Sequence, residues 1–138
     1  MTTTLISFIS YSFVATISIV LGLIYLLKNQ FMPYHSKALG LSWSELEANT
    51  QVLIIALMRA TGGGLLASGI AMLILLLIPW KRGDTWSLYA IPAINLCISL
   101  ASLYAMLLVK NKTPGTPPVI LSLLAILLTL VGFILSII

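Results

Sequence analysis

An arginine embedded in an apolar run is the residue of this 138-residue chain whose setting first suggests chemistry. Arg59 follows Val52-Leu53-Ile54-Ile55-Ala56-Leu57-Met58 and precedes Gly62-Gly63-Gly64. An ionisable group inside a membrane span is expensive and marks an interface anchor, a paired packing residue or a ligand contact. On a helix, Gly62 and Gly63 lie three and four residues beyond Arg59, on the same face one turn on. Three consecutive glycines forgo about 2–3 kcal/mol of helix propensity relative to alanine, which something must offset. Ala67, Ser68 and Ala71 continue that face. Close helix packing through small residues is one explanation. The other is a pocket walled by bare backbone, in which Arg59 holds an anionic or carbonyl headgroup and Gly62 and Gly63 admit it.

Other polar residues converge on the same depth. Asn95, Ser99 and Ser102 form a stripe at i, i+4 and i+7, with Pro92 on that face freeing the carbonyl of Leu88. Aligning Trp80 with Trp86 across a short turn sets Ser102 and Tyr104 level with the three glycines, and Tyr25 reaches the same level from the first span. Interhelical hydrogen bonding and a polar pocket lining both fit the stripe. His35 sits in the aromatic-apolar loop Phe31-Met32-Pro33-Tyr34-His35, where it is a surface residue or, with Glu45 or Glu47, a proton-handling group.

Several chemistries are excluded. One His and one Cys cannot supply a haem pair, a zinc site or an iron–sulfur cluster, so no metal and no cofactor is expected. The glycine triplet has no Lys-Ser/Thr sequel and is not a phosphate loop. No Asp or Glu falls inside a span, which counts against a proton-coupled exporter. No catalytic residues are assigned.

The elements that must position these residues follow from composition. The chain is 60% hydrophobic and 7% charged, whereas a soluble domain carries about a quarter charged residues. Its apolar runs predict an all-α integral membrane four-helix bundle forming one domain over 1–138, with helices at about 5–27, 43–80, 86–109 and 117–138. The first is read as a retained span, since it exceeds a signal-peptide core and lacks an A-x-A site. Ser42-Trp43-Ser44-Glu45 has capping-box spacing, so the second helix is expected to begin near Trp43. Thr116 and Pro117 are the expected N-cap and first residue of the fourth. Lys81-Arg82-Gly83-Asp84 is a tight turn between two interfacial tryptophans. The run 52–58 is too apolar for water, so the second helix tilts or the run is buried by protein.

The net charge of +4 comes from seven Lys and Arg at segment ends, with no basic cluster of the kind nucleic acid needs. Lys28, Lys37, Lys110 and Lys112 lie on the side of the first and third loops, against Lys81 and Arg82 opposite. This bias favours those two loops in the cytoplasm and the termini outside.

The stretch Leu57-Met58-Arg59-Ala60-Thr61-Gly62-Gly63-Gly64-Leu65-Leu66-Ala67-Ser68-Gly69 resembles the second-helix signature of the DoxX-like superfamily of small bacterial membrane proteins. The resemblance covers about 20 residues. It implies a four-helix bundle in the bacterial cytoplasmic membrane, and for the named member a subunit that hands electrons to quinone. The expectation from residues and resemblance together is a non-enzymatic protein that binds a lipid- or quinone-like amphiphile or packs as an accessory membrane subunit. Membrane lipids, a homo-oligomer or a partner subunit are the expected company. Arg59, Gly62, Gly63, Tyr104, Asn95, Tyr25 and His35 are the candidate ligand contacts. A membrane enzyme or quinone-linked redox subunit is the alternative.

Overall fold

The computed structural model describes residues 2–138. Long apolar runs nearly free of charge need their backbone groups paired within the segment when they lie in lipid, so the spanning stretches are helical. In order come α1 (Thr2–Leu27), α2 (Pro33–Leu39), a 3-10 turn (Trp43–Glu45), α3 (Ala48–Leu75), a π turn continuing it (Leu76–Trp80), α4 (Ser87–Lys112) and α5 (Val119–Ile137). Four of these are long and apolar enough to cross a membrane: α1, α3 with its π turn, α4 and α5. The protein is an all-α helical bundle of the integral membrane class.

The helices follow one another around the bundle in the order α1, α3, α4, α5, and each neighbouring pair is antiparallel. Gly62 of α3 meets Gly22 of α1, and Gly69 meets Ala15 and Ile19. Tyr11 of α1 rests on Gly132 of α5. Between α4 and α5, Asn95 donates through Nδ2 to the Ala125 carbonyl at 3.3 Å and to Thr129 Oγ1. The first and third loops share one end of the bundle: Lys37 Nζ donates to Thr116 Oγ1 at 3.4 Å. At that end Lys110 and Lys112 also occupy the last turn of α4, where the helix dipole favours cations.

The core is concentrated at the opposite end, where Tyr11, Val14, Ala15, Met72, Leu76 and Ile91 pack together. Trp80 closes this end, edge-on to Tyr11 at 5.7 Å between ring centroids. Pro79 lacks the N–H that an α-turn needs, and the helix widens to a π turn around it. Gly83 at φ 79° then turns the chain toward α4.

Besides the earlier start of α1 at Thr2 and the later end of α4 at Lys112, three features differ from the sequence expectation. The long first connection contains α2, which Gly40 terminates at φ 69° by donating its N–H to the Ser36 carbonyl at 2.9 Å. The capping box does form, with the Ser42 N–H donating to Glu45 Oε2 at 2.6 Å, but it closes only one 3-10 turn. Leu46 and Glu47 are extended, so α3 begins at Ala48 rather than Trp43. At the last helix, Pro118 bars its predecessor Pro117 from the α region, so α5 starts at Val119 and not at 117.

The apolar run before Arg59 is covered on one side only: Met58 is buried and Ile54 half-buried, whereas Val52 is 70% and Leu57 60% exposed, and those exposed side chains face lipid. The 33-residue helix rises about 50 Å at 1.5 Å per residue, against about 30 Å of hydrocarbon, so it is long enough to cross with room for tilt.

Candidate functional site

Toward the loop-1 end the bundle is hollow. A cavity of about 510 Å³ lies between all four spans. It exists because the positions that line it carry small side chains: Ser18 on α1, Ser99 and Ser102 on α4, Ser122 and Ala125 on α5, and, exposed at its open side, Thr61 on α3 and Ala105 on α4. At the other end the equivalent space is filled by Tyr11, Met72 and Leu76. Ile17, Leu21, Ile54, Met58, Ile98, Met106 and Leu121 make the rest of the wall apolar. No Lys, Arg, Asp or Glu is among the lining residues.

Helix α2 crosses the loop-1 end of this space and lines it with Tyr34, His35, Ala38 and Leu39. Five contacts make its seat. Phe31 is buried with its ring edge-on to Trp43 at 5.1 Å and to His35 at 6.3 Å. The Tyr25 and Tyr34 hydroxyls hydrogen-bond at 2.7 Å, tying α2 to the end of α1. Gly115 lies so close under α2 that a Cβ there would come within 2.9 Å of the Ala38 methyl. Lys37 reaches Thr116 on the same side.

His35 has a defined tautomer. The Met32 N–H donates to its Nδ1 at 3.3 Å, so that nitrogen is unprotonated and the neutral ring carries its proton on Nε2. Burial pushes the His35 pKa below its ordinary value. Tyr34 is pushed well above the usual phenol range, first by burial and then by the Tyr25 hydroxyl, and stays protonated. A lowered native pKa means that the unfolded chain binds the proton more readily. Stability is therefore intact above about pH 6.5, the ordinary value for His, and falls as pH drops below it. Protonation also puts a hydrogen on Nδ1 and ends its role as acceptor for Met32. Amide exchange over residues 32–40, corrected for intrinsic rates, is expected to quicken on acidification through that window in the wild type and to stay level in His35→Gln.

The seven residues singled out in the sequence part company. Tyr25 and His35 line the cavity. Arg59 does not. Its Nη1 donates to the Tyr25 carbonyl and its Nη2 to Asn29 Oδ1, each at 3.2 Å. The guanidinium thereby caps the open carbonyl end of α1, where a cation is favoured. Arg59→Gln is expected to lower stability by about 1–2 kcal/mol and to leave the amphiphile content of the purified protein unchanged. Denaturation midpoints and native mass spectrometry check the two halves of that statement.

Gly62 faces α1, where a Cβ would come within 2.8 Å of the Gly22 carbonyl oxygen, whereas one at Gly63 would meet nothing within 4 Å. Asn95 is fully buried, donating to α5 and accepting from Ser99 Oγ at 3.2 Å, so it binds helices together beneath the cavity. Tyr104 is 66% exposed on the outer face of α4. Glu45 is exposed and engaged at Ser42, whose hydrogen bonds, side chain then backbone, hold its carboxyl below the usual range; it is not joined to His35.

Sequence reasoning missed Tyr34, Ser18, Thr61 and Ser122. The available signal was the recurrence of small residues at one-turn spacing, Ser99-Ser102-Ala105 on α4 and Ser122-Ala125 on α5. Comparison of the chain with protein-family models, with curated proteins and with solved structures gives no match.

Proposed function

We propose that this membrane protein binds a lipid-like amphiphile in the cavity beneath α2 and acts as a binding or accessory subunit without catalytic residues of its own. The observation that carries the reading is the cavity: about 510 Å³, apolar along its length, with Tyr25, Tyr34 and His35 together at one end. Ligand sites of this kind combine a largely apolar wall of about 300–1,000 Å³ with a few placed polar groups. Lipids or quinone-like molecules supply the matching apolar body, and the surrounding bilayer is their source. The likeness of residues 57–69 to the DoxX-like signature supports a setting in the bacterial cytoplasmic membrane. The lysine bias supports the first and third loops facing the cytoplasm. A second copy or a partner subunit is proposed on the apolar outer faces of the helices, which in isolation face lipid.

Native mass spectrometry of gently extracted protein, with identification of released small molecules, tests this reading. A stoichiometric adduct that dissociates as an amphiphile is the expected result. A bare 14.9 kDa species under conditions that preserve lipid adducts on other membrane proteins would overturn it.

A further inference from the structure

Resting on that reading, we infer that the cavity selects an uncharged amphiphile whose head carries hydrogen-bond acceptors, a carbonyl or an ester in place of a phosphate or carboxylate. The polar end of the cavity offers hydrogen-bond donors. Tyr25 and Tyr34 share one hydrogen bond, so one of the two O–H groups donates to the other and the second O–H is left to donate elsewhere. His35 spends Nδ1 on the Met32 N–H, and its remaining ring group is a donor, Nε2–H. The end of the cavity thus holds two neutral donors. A head bearing acceptor oxygens satisfies both.

Charge argues the same way. No charged side chain lines the space. The one arginine at this depth is committed to the Tyr25 carbonyl and to Asn29. Lys37 is exposed and directed to Thr116 in the third loop. An anionic head drawn under α2 would leave water without a cation to meet it, and a buried unpaired charge is strongly disfavoured. A head without acceptors would leave the tyrosine and histidine donors unmatched. Deeper in the cavity the hydroxyls are those of Ser18, Thr61, Ser99, Ser102 and Ser122. Ser99 is spent on Asn95 Oδ1 and Ser122 on Met106 Sδ, and the rest of that wall is apolar, so the body of the ligand is apolar.

The test uses the full-length protein in an uncharged detergent at neutral pH. Its three probes have equal chain length: a monoacylglycerol, the corresponding fatty acid and the corresponding alkane. The monoacylglycerol is expected to bind at least tenfold more tightly than either of the others, about the effect of one or two matched hydrogen bonds. The double substitution Tyr25→Phe with Tyr34→Phe keeps both rings. It is expected to lower monoacylglycerol affinity about tenfold while leaving alkane affinity as it was, and the alkane reports that the cavity is intact. His35→Phe, which removes the second donor, is expected to act in the same direction. Fatty acid binding as tightly as the ester would overturn the inference, as would a parallel loss for ester and alkane in both variants. Binding of all three probes without discrimination removes the inference alone. Binding of none removes the proposed function with it.

Discussion

Gly62→Leu is expected to lower stability by about 3 kcal/mol, the upper end of the range for overpacking a close contact, while Gly63→Leu leaves it unchanged or raises it by up to about 1 kcal/mol. The two glycines are adjacent in sequence and opposite in circumstance. A Cβ at 62 would lie 2.8 Å from the Gly22 carbonyl oxygen and 2.9 Å from the Leu26 nitrogen. Both atoms are backbone and cannot swing aside. Gly22 is constrained reciprocally, with the Leu66 nitrogen at 2.6 Å from its absent Cβ, and Gly69 repeats the arrangement one heptad on against Ala15. Helix association in lipid gains little from burying apolar surface, so it relies on this close approach. Leucine is the better helix former, so any loss at 62 occurs despite a local gain. Denaturation midpoints of the two variants in the same detergent decide the matter; equal shifts would contradict the packing described.

Filling the cavity is expected to abolish amphiphile binding without unfolding the protein. Ser18→Phe enters from α1 and Thr61→Phe from α3, and each places an aromatic ring in space now bounded by small residues. Since wall atoms regain contacts, stability is expected to hold or to rise by about 1 kcal/mol. The occupied fraction in native mass spectra is expected to fall at least tenfold for both. Two variants from different helices guard against a local clash in either. Unchanged occupancy in both would place the bound molecule elsewhere on the protein.

How far these features were legible in the amino-acid sequence depended on whether a residue's role is decided locally. Four apolar runs of bilayer length set the spans, because a continuous apolar segment of that length satisfies its own backbone in lipid as a helix. The turn Lys81-Arg82-Gly83-Asp84 was equally readable, since Gly83 alone there accommodates a positive φ. Caps were half readable. Ser42 and Glu45 pair as their spacing requires, yet Leu46 and Glu47 extend the chain before α3 begins. Helix α2 was not legible because its seven residues are held by groups outside it, Tyr25 on Tyr34 and Gly115 under Ala38, with Trp43 fixing the preceding Phe31.

The candidate site was legible in depth and misread in azimuth. Tyr25 and His35 meet at the cavity as their levels suggested, but Arg59 and Gly62 turn toward α1 and Tyr104 turns outward. A helix without polar residues around most of its circumference gives little indication of which side faces protein and which faces lipid. Small residues carry the same ambiguity: Gly62 closes a helix contact, while Ser102 and Ala105 leave room. Only the placement of neighbouring helices separates the two cases.

The central claim is that an amphiphile occupies the space beneath α2, and a crystal structure of gently extracted protein grown from a lipidic mesophase tests it most directly. Elongated density between Ser18, Thr61, Ser102 and Ser122, ending at the Tyr25 and Tyr34 hydroxyls, is the result expected. Density confined to the outer faces, with Met58, Met106 and Leu121 collapsed into the space, would contradict it.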